Sequence, residues 1–411
     1  MTGSTNTVEV LRGRTDAEAH VGVVCFKQGP PQLIGAELEW LLADGANSAV
    51  PPALSDIAAA LGDHAPSIVS PASPARPLAG GSTVSIEPGG QVELSSAPYP
   101  DSTSLCAALA ADATALTQLL DAAGLALQDC ATDEFRPALR QLSSPRYCAM
   151  EKAFDRVGPF GRLMMCSTAA VQVNVDAGSP GAEMAARWAL LHEAGPALVA
   201  AFARSPRLHG APAGNWASQR MRTWLELDPE RTTPPPIDDH DPVGAYARWA
   251  LDVPLLCVRR STGEWSAPAG ASFADWVEGR LDSVIASPPT PADLDYHLST
   301  LFPPVRAKGY FEIRYLDAQP GTTWQVPVGL LDALLSDAST VDSAREIAAP
   351  TTGRWRDAAR YGLADPELRR SATALLGLGA RHLADPAMAQ LLADAAERVS
   401  LGHTPKDVEE S

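Results

Sequence analysis

Four short stretches of this 411-residue chain alternate between apolar residues and residues with carboxylate, amide or guanidinium side chains. They are residues 37–39 (ELE), 87–93 (EPGGQVE), 171–176 (VQVNVD) and 311–315 (FEIRY). A β-strand points successive side chains to opposite faces of its sheet, so each stretch predicts a strand with one apolar and one polar face. The chain is therefore expected to fold around a sheet whose apolar face is covered and whose polar face is strongly acidic.

The predicted polar faces carry five glutamates, which are Glu37, Glu39, Glu87, Glu93 and Glu312. Any one of these stretches by itself is typical of a strand that faces solvent. Their repetition at four places favours a shared cleft, where clustered carboxylates repel one another unless cations lie between them. Mg²⁺ takes oxygen ligands and is commonly bound together with substrate phosphates. We therefore interpret the five glutamates as metal ligands beside a phosphorylated substrate.

The polar strands are interspersed with helical patterns, without the regular strand–helix alternation of a parallel sheet. The predicted strands are 33–42, 82–96, 163–176 and 310–317, and residues 341–402 are predicted to be helical. These elements favour an α+β fold in which a curved antiparallel sheet has helices packed on its outer, apolar face. The proline-rich segment 228–242 could be an interdomain linker. Because predicted strands lie on both sides of it, we interpret it as a surface loop and expect one catalytic domain over residues 1–411.

Composition excludes several classes of protein. Asp and Glu outnumber Lys and Arg by 49 to 32, and the net charge of −17 argues against nucleic acid or an anionic membrane as a partner. No GxxxxGK[ST] motif occurs, and no GxGxxG follows a strand-like run, so neither a P-loop nor a Rossmann nucleotide site is expected. No run of about 18 consecutive apolar residues occurs, so no membrane span is expected. Residues 1–20 are polar and lack the apolar core of a secretory signal, so we predict a cytoplasmic protein.

The six cysteines show no metal-binding spacing and are interpreted as free, mostly buried thiols of a reducing compartment. None of them lies in a sequence context that would activate a nucleophile. His297, at the start of the run HLSTLFPPVR, is interpreted as a hydrogen-bonded structural residue rather than a ligand contact.

Cationic residues accompany the last predicted strand. Arg306 and Lys308 precede this strand, Arg314 lies within it, and Arg220 occurs in the run SQRMRTW. An arginine can bind a carboxylate or a phosphate through two parallel hydrogen bonds. Each residue could equally be a surface cation, and Arg314 could form a salt bridge with Glu312.

Longer motifs resemble those of the plant-type and actinobacterial glutamate–cysteine ligases. The strongest matches are residues 35–40 (GAELEW), 85–99 (SIEPGGQVELSSAPY), 164–176 (MMCSTAAVQVNVD) and 297–320 (HLSTLFPPVRAKGYFEIRYLDAQP). They follow the order of the family and span residues 35–320. Length and composition resemble the actinobacterial branch, whose γ-glutamylcysteine feeds ergothioneine synthesis.

The resemblance implies a bowl-shaped sheet like that of the glutamine synthetase catalytic domain. It also implies ATP and Mg²⁺ as cofactors, with L-glutamate, L-cysteine and ATP as the bound small molecules. The five glutamates named above would be the metal ligands. Arg314 would stabilise the transferred phosphoryl group, and Arg220 or Arg306 would hold a substrate α-carboxylate. The residues expected to bind substrate are Arg220, Gln172, Asn174 and Tyr310.

Two other functions remain open on the sequence. Close relatives within the family join glutamate to other amines, and the residues named here do not identify the acceptor. A non-catalytic acidic protein that binds Ca²⁺ or a protein partner would also carry clustered carboxylates. For the oligomeric state, a monomer is favoured.

Overall fold

The computed structural model describes residues 10–27, 32–45 and 49–404. Residues 1–9 of the polar N-terminal segment lie outside this part of the chain. Within the described residues the chain forms a sheet of seven strands. The strands are β1 (Ile34–Asp44), β2 (Thr83–Ile86), β3 (Val92–Ser95), β4 (Leu125–Gln128), β5 (Ala170–Val175), β6 (Val305–Ala307) and β7 (Phe311–Asp317).

The strand order is β2-β3-β1-β5-β7-β6, and β4 pairs with the C-terminal part of β1. Every pairing is antiparallel. The ladder between β5 and β7 shifts register between Val171 and Val173, and such bulges bend a strand and increase its twist. The sheet is open and curved, which confirms the predicted α+β fold.

Helices make up most of the remaining regular structure. They are α1 (Arg14–Cys25), α2 (Leu54–Leu61), α3 (Ser102–Asp121), α4 (Pro145–Phe154), α5 (Phe160–Cys166), α6 (Ala182–Glu193), α7 (Gly195–Phe202), α8 (Gln219–Leu227), α9 (Pro229–Thr232), α10 (Pro242–Asp252), α11 (Phe273–Val277), α12 (Pro291–Leu298), α13 (Gln325–Leu334), α14 (Ala338–Ala348), α15 (Trp355–Tyr361), α16 (Pro366–His382) and α17 (Pro386–Ser400). Short 3₁₀ segments occur at Gly62–His64, Ala349–Thr351 and Gly362–Ala364.

Local chemistry determines where several of these helices begin. The Ser144 side chain accepts a hydrogen bond from the backbone N–H of Tyr147 at the start of α4. Thr290 forms a capping box with Asp293 at the start of α12. In both helices a proline occupies the first turn, where a backbone N–H would have no intrahelical partner.

The apolar face of the sheet is covered by α3, α7 and α13, which contact β1, β7 and β5 respectively. By length and composition alone, α3 is apolar enough to cross a membrane. Its residues Leu105 and Leu109 are nonetheless fully buried in the protein core. Asp112, also buried in α3, accepts hydrogen bonds from the backbone N–H groups of Gly80 and Ser82 at 2.7 and 3.0 Å. The apolar side of α3 is therefore occupied by packing within this chain.

The strand predicted over residues 163–176 is wrong in its first part. Residues 160–166 form α5, and β5 begins only at Ala170. A short apolar run such as residues 163–166 satisfies the pattern of a buried strand and of a buried helix equally well. Here the run is buried as a helix, and the Thr168 hydroxyl donates to the Met164 carbonyl at 2.8 Å where the helix ends.

The other predicted elements agree with the structure. Residues 33–42 correspond to β1, residues 82–96 contain β2 and β3, and residues 310–317 contain β7. Residues 341–402 contain helices and turns but no strand. The segment 228–242 consists of α9 and an irregular stretch that leads into α10.

Candidate active site

The polar face of the sheet lines a cavity of about 550 Å³. This volume is typical of small-molecule sites. The charged and polar residues that the sheet and its adjoining turns contribute to the cavity are Glu37, Glu39, Glu87, Gln91, Glu93, Ser95, Gln172, Arg306, Lys308, Glu312 and Arg314, and Pro88 and Ala307 also line it. The remaining walls come from α1, α4, α5, α8 and α12 and the residues that follow them.

Strand pairing places residues that are far apart in the sequence on one polar surface. Glu39 lies opposite Glu93 across the β1–β3 pair, and Glu37 lies opposite Gln172 across the β1–β5 pair. Side chains that are directly opposite in an antiparallel pair have Cβ atoms about 4.5–5.5 Å apart. The alternation in the sequence thus becomes a continuous, mostly acidic surface across three neighbouring strands.

Groups on β5 hold the two glutamates of β1. Gln172 Nε2 donates to Glu39 Oε1 at 2.7 Å, and the Ala170 backbone N–H donates to Glu39 Oε2 at 3.0 Å. Asn174 Nδ2 donates to Glu37 Oε1 at 3.1 Å. These neutral donors orient both carboxylates without compensating their charge.

Glu93 has one carboxylate oxygen that no described residue binds. The hydroxyls of Ser85 and Ser95 donate to Glu93 Oε1 at 2.7 and 3.0 Å. Within the described residues, Oε2 of Glu93 accepts no hydrogen bond. This oxygen is available to a ligand in the cavity.

Glu87 lies at the turn between β2 and β3. In the described part of the chain its carboxylate accepts no hydrogen bond and forms no ion pair. Gly89 packs so closely in this turn that a Cβ atom on it would lie 2.6 Å from Cys166 Cα. Only glycine allows the turn to approach α5 at this distance and to hold Glu87 in the cavity wall.

Glu312 differs from the other cavity glutamates because three cations surround it. Arg306 Nε and Nη2 donate to its two carboxylate oxygens at 2.7 and 3.0 Å. Arg314 Nη1 donates to Glu312 Oε2 at 2.7 Å, and Lys308 Nζ lies 3.5 Å from Oε1. Burial opposes ionisation, but the attraction of these cations outweighs it and lowers the pKa of Glu312. The alternative role for Arg314, a salt bridge with Glu312, is therefore present, and metal binding by Glu312 stays a prediction.

The other four cavity glutamates differ from Glu312 because their pKa is raised instead of lowered. Burial raises the pKa of Glu37 to about 7, and repulsion from Glu312 and Glu93 adds to this effect. Burial and neighbouring carboxylates also raise the pKa of Glu39, Glu87 and Glu93. A raised carboxylate pKa means that the surroundings disfavour the ionised form. In this part of the cavity the positive charges of Arg314 and Arg220 only partly offset the cost of ionising the buried carboxylates.

Such a surface fits a divalent cation that is bound jointly with phosphate oxygens. No three acidic, cysteine or histidine side chains among the described residues converge into a ready metal cage. Mg²⁺ usually keeps several waters and takes one or two carboxylates plus substrate phosphates, rather than an all-protein cage. The free oxygens of Glu87 and Glu93 supply that kind of ligand. The residues present therefore fit Mg²⁺.

Replacing Glu37 by Gln should change how the stability of the metal-free protein depends on pH. The pKa of Glu37 is raised from 4.5 to about 7. Its contribution to stability is therefore full below about pH 4.5 and is lost as the pH rises through about 7. Gln cannot ionise and can still accept the hydrogen bond from Asn174. We expect the free energy of unfolding of Glu37→Gln relative to wild type to rise by about 1–3 kcal/mol across this interval.

Chemical denaturation without divalent cations, at about pH 4.5 and about pH 8, measures this difference. A difference between variant and wild type that is the same at both pH values would contradict the raised pKa.

Arg220 does not line the cavity. Its side chain is buried with 2% exposure, and Nη2 donates to the backbone carbonyl of Arg314 at 2.7 Å. Its guanidinium stacks 4.8 Å from the ring centre of Trp224, which does line the cavity. Arg220 thus supports two residues of the cavity, and a direct contact with substrate stays a prediction.

Asn174 and Tyr310 also lie outside the cavity lining. Asn174 acts on the site through its hydrogen bond to Glu37. Tyr310 precedes β7, and its ring centre lies 5.7 Å from the Lys308 ammonium. Their proposed contacts with substrate likewise stay predictions.

The helices add cavity residues that the sequence pattern did not indicate. These are Val24 and Cys25 of α1, Arg146, Tyr147 and Met150 of α4, Met164 and Met165 of α5, Trp224 of α8, and Asp295 and Leu298 of α12, followed by Ser299. In the sequence, nothing distinguishes Arg146 from an ordinary surface arginine. Its place in the cavity follows from how α4 packs against the rest of the molecule.

His297 and the cysteines have the structural character expected from the sequence. His297 is buried, its Nε2 lies 2.8 Å from the Ala250 carbonyl oxygen, and burial lowers its pKa to about 4. All six cysteines are free. Burial raises the pKa of both Cys25 and Cys166 to about 12, so neither thiol is activated as a nucleophile.

The chain is similar in sequence to several glutamate–cysteine ligases. The glutamate–cysteine ligase EgtA of Mycolicibacterium smegmatis is 39% identical over 370 residues, covering 89% of this chain and 84% of that protein. EgtA of Mycobacterium tuberculosis H37Rv is 38% identical over 384 residues, covering 92% of this chain and 85% of that protein. The chloroplastic glutamate–cysteine ligase of Brassica juncea is 31% identical over 288 residues, covering 68% of this chain and 55% of that protein.

Comparison of structures identifies the same fold in an enzyme of very different sequence. The crystal structure of a glutamate–cysteine ligase from Francisella tularensis in complex with AMP matches with a TM-score of 0.56 and 12% identity, covering 92% of this chain and 84% of that one. Residues 33–406 match the model of Glutamate-cysteine ligase family 2 (GCS2). This range contains every strand of the sheet and all five cavity glutamates. This match and the relatives at 38–39% identity show that the chain belongs to glutamate–cysteine ligase family 2.

Proposed function

We propose that this protein joins the γ-carboxylate of L-glutamate to the amine of L-cysteine, using ATP, through γ-glutamyl phosphate. The observation that carries the proposal is the division of charge within one cavity. Four glutamates have no ion-pair partner among the described residues, whereas Glu312 anchors Arg306, Lys308 and Arg314 beside them. A site that transfers a phosphoryl group needs both a place for cations and fixed positive charge beside the phosphate.

The acidic part of the cavity would hold Mg²⁺ through Glu37, Glu39, Glu87 and Glu93. Mg²⁺ held there would neutralise phosphate charge and help to orient the γ-phosphate of ATP. Gln172 and Asn174 keep the carboxylates of β1 oriented through the hydrogen bonds described above. The role of the glutamates is thus to position ATP rather than to transfer protons.

The cationic part of the cavity would act on the group that is transferred. A γ-carboxylate oxygen of glutamate forms a bond to the γ-phosphorus, and the bond to ADP breaks. Arg314 would stabilise the charge on the phosphoryl oxygens, and Arg306 or Arg220 would hold a substrate α-carboxylate. The amine of cysteine then attacks the acyl carbon, loses a proton, and displaces inorganic phosphate. Fixed charges of this kind commonly supply the largest part of such catalysis.

The C-terminal helices would belong to the same catalytic unit as the sheet. One continuous hydrophobic core contains residues from Leu11 to Val399, and α13 contacts both β5 and α16. This supports one catalytic domain over residues 1–411. We propose a cytoplasmic monomer, and the free cysteines agree with a reducing compartment. The similarity to the actinobacterial branch supports a role for the product in ergothioneine synthesis.

A turnover assay with varied amines tests the proposed function. With ATP, Mg²⁺ and glutamate, we expect ADP release and γ-glutamylcysteine formation that depend on cysteine. Hydroxylamine should also be accepted, because it attacks an acyl phosphate, and should give γ-glutamyl hydroxamate. The measurements are coupled ADP detection and mass spectrometry of the products.

Efficient turnover with another amine, and much weaker turnover with cysteine, would favour a different acceptor within the same chemistry. Absence of ADP release with every amine would contradict the ligase and favour a non-catalytic metal-binding protein.

A further inference from the structure

One acidic side chain of the cavity does not belong to the sheet. Six carboxylates line the cavity within the described residues, and five of them are the glutamates of the strands and their turn. The sixth is Asp295, which α12 contributes. None of the five glutamates is exposed, whereas the side chain of Asp295 is 54% exposed. Asp295 therefore lies where the cavity opens to solvent, on a wall that the strands do not form.

A histidine of α1 orients the Asp295 carboxylate. His20 Nε2 lies 2.7 Å from Asp295 Oδ1, and the helices α1 and α12 contact each other. In the described part of the chain, Oδ2 of Asp295 accepts no hydrogen bond. A carboxylate that is already held loses little freedom when it binds a ligand. Asp295 is thus oriented in advance and keeps one oxygen for a molecule in the cavity.

Asp295 lies near a cation of the same cavity. Cys25, at the end of α1, lines the cavity together with Asp295 and Arg306. Burial raises the pKa of the Cys25 thiol, the charge of Asp295 raises it further, and the charge of Arg306 lowers it. Charge interactions weaken with distance, so both groups lie close to this thiol. One region of the cavity therefore offers a carboxylate and a guanidinium together.

We propose that Asp295 binds the α-ammonium group of the substrate L-glutamate. The inference rests on the proposed function, in which Arg306 is a candidate to hold a substrate α-carboxylate. The ammonium and carboxylate groups of an α-amino acid are bonded to the same carbon, so a site for this end of the molecule needs an anion close to a cation. Asp295 and Arg306 meet that requirement.

The chemistry of the two amino acids favours glutamate over cysteine. The cysteine amine must lose a proton before it attacks, and a neighbouring carboxylate would favour its protonated form and slow the reaction. The α-ammonium of glutamate takes no part in the reaction and can stay charged. A charge-assisted hydrogen bond to Asp295 would therefore position glutamate without opposing the amine attack.

The test compares Asp295→Asn with wild type on L-glutamate and on glutarate, which is glutamate without its α-ammonium group. Asn keeps the size of the side chain and removes its charge. We expect kcat/KM for glutamate to fall about ten- to hundredfold. Glutarate, measured as a slow substrate or as a competitive inhibitor against glutamate, should change by less than about twofold, and so should the KM for cysteine.

Two further variants control for the position of α1. His20→Ala removes the contact to Asp295 but leaves the carboxylate, so it should keep the selectivity for glutamate over glutarate. Asp252 is a second exposed aspartate that pairs with α1, through Arg14, and it does not line the cavity. Asp252→Asn should therefore leave this selectivity unchanged.

Equal losses with glutamate and glutarate would overturn the inference, because they indicate a general disturbance of the cavity. The same loss of selectivity in His20→Ala would also overturn it, since the effect would then come from α1. A change confined to the KM for cysteine would place Asp295 at the acceptor and contradict the assignment to glutamate. If the wild-type protein itself shows no turnover, the proposed function fails and takes this inference with it. An active wild type with an unselective Asp295→Asn variant contradicts the Asp295 assignment alone.

Discussion

Glu93→Gln is expected to lose almost all ligase activity while the fold stays intact. Glu93 lies opposite Glu39 in the sheet, and its Oε2 is left free for a cation within the described residues. Gln keeps the size of the side chain and can still accept hydrogen bonds from Ser85 and Ser95. The change removes the charge and replaces the free Oε2 by an NH₂ group that cannot bind a cation, so the loss should appear in catalysis and in the Mg²⁺ requirement. We expect turnover to fall by at least about a hundredfold, with a higher Mg²⁺ concentration for half-maximal rate.

The same variant should not be destabilised. Burial and the charge of Glu39 disfavour ionised Glu93 in the metal-free protein, so removing its charge should leave the free energy of unfolding equal to or above that of wild type. Circular dichroism measures whether the fold is retained, and chemical denaturation measures the free energy of unfolding. The control is Glu397→Gln, a substitution at an exposed residue of α17. Activity of Glu93→Gln within a few-fold of wild type at limiting Mg²⁺ would contradict the metal assignment.

Arg314→Gln should lower turnover to a similar extent for a different reason. Arg314 Nη1 donates to both Gln172 Oε1 and Glu312 Oε2 at 2.7 Å, which fixes a positive charge on the floor of the cavity. Loss of one fixed charge that stabilises a transferred phosphoryl group costs about a hundred- to thousandfold in kcat. Glu312 keeps its two hydrogen bonds from Arg306, so the fold should persist with reduced stability.

The Mg²⁺ requirement distinguishes the two variants. The positive charge of Arg314 partly offsets the rise in the pKa of Glu37, Glu39 and Glu87, so its removal makes the acidic surface more attractive to cations. The Mg²⁺ concentration for half-maximal rate should therefore stay the same or fall in Arg314→Gln, whereas it rises in Glu93→Gln. Arg162→Gln, at a more exposed ion pair with Asp155, is the matched control. An unchanged kcat in Arg314→Gln would remove Arg314 from the catalytic step.

The acidic surface was predictable because a strand has a period of two residues. Once Glu37 and Glu39 lie on one strand, both must share a face, and the same holds for Gln172 and Asn174. The helix α5 was not predictable, because the apolar run before β5 satisfies either periodicity. The salt bridges of Glu312 were only partly predictable: Arg314 shares its strand, whereas Arg306 reaches it through the pairing of β6 with β7.

What the sequence by itself determined is the composition of the sheet's two faces, the cluster of five glutamates and the family. These follow from short-range periodicity and contiguous motifs, which do not depend on how distant segments pack. Only the tertiary structure decided which of the five glutamates has cations beside it to balance its negative charge. Strand register pairs Glu39 with Glu93 and gathers three cations on Glu312. It likewise decided that Arg146 lines the cavity while Arg220 lies buried behind Arg314. Charge interactions act between neighbours in space, and those neighbours are set by the packing of helices and strands that lie far apart in the chain.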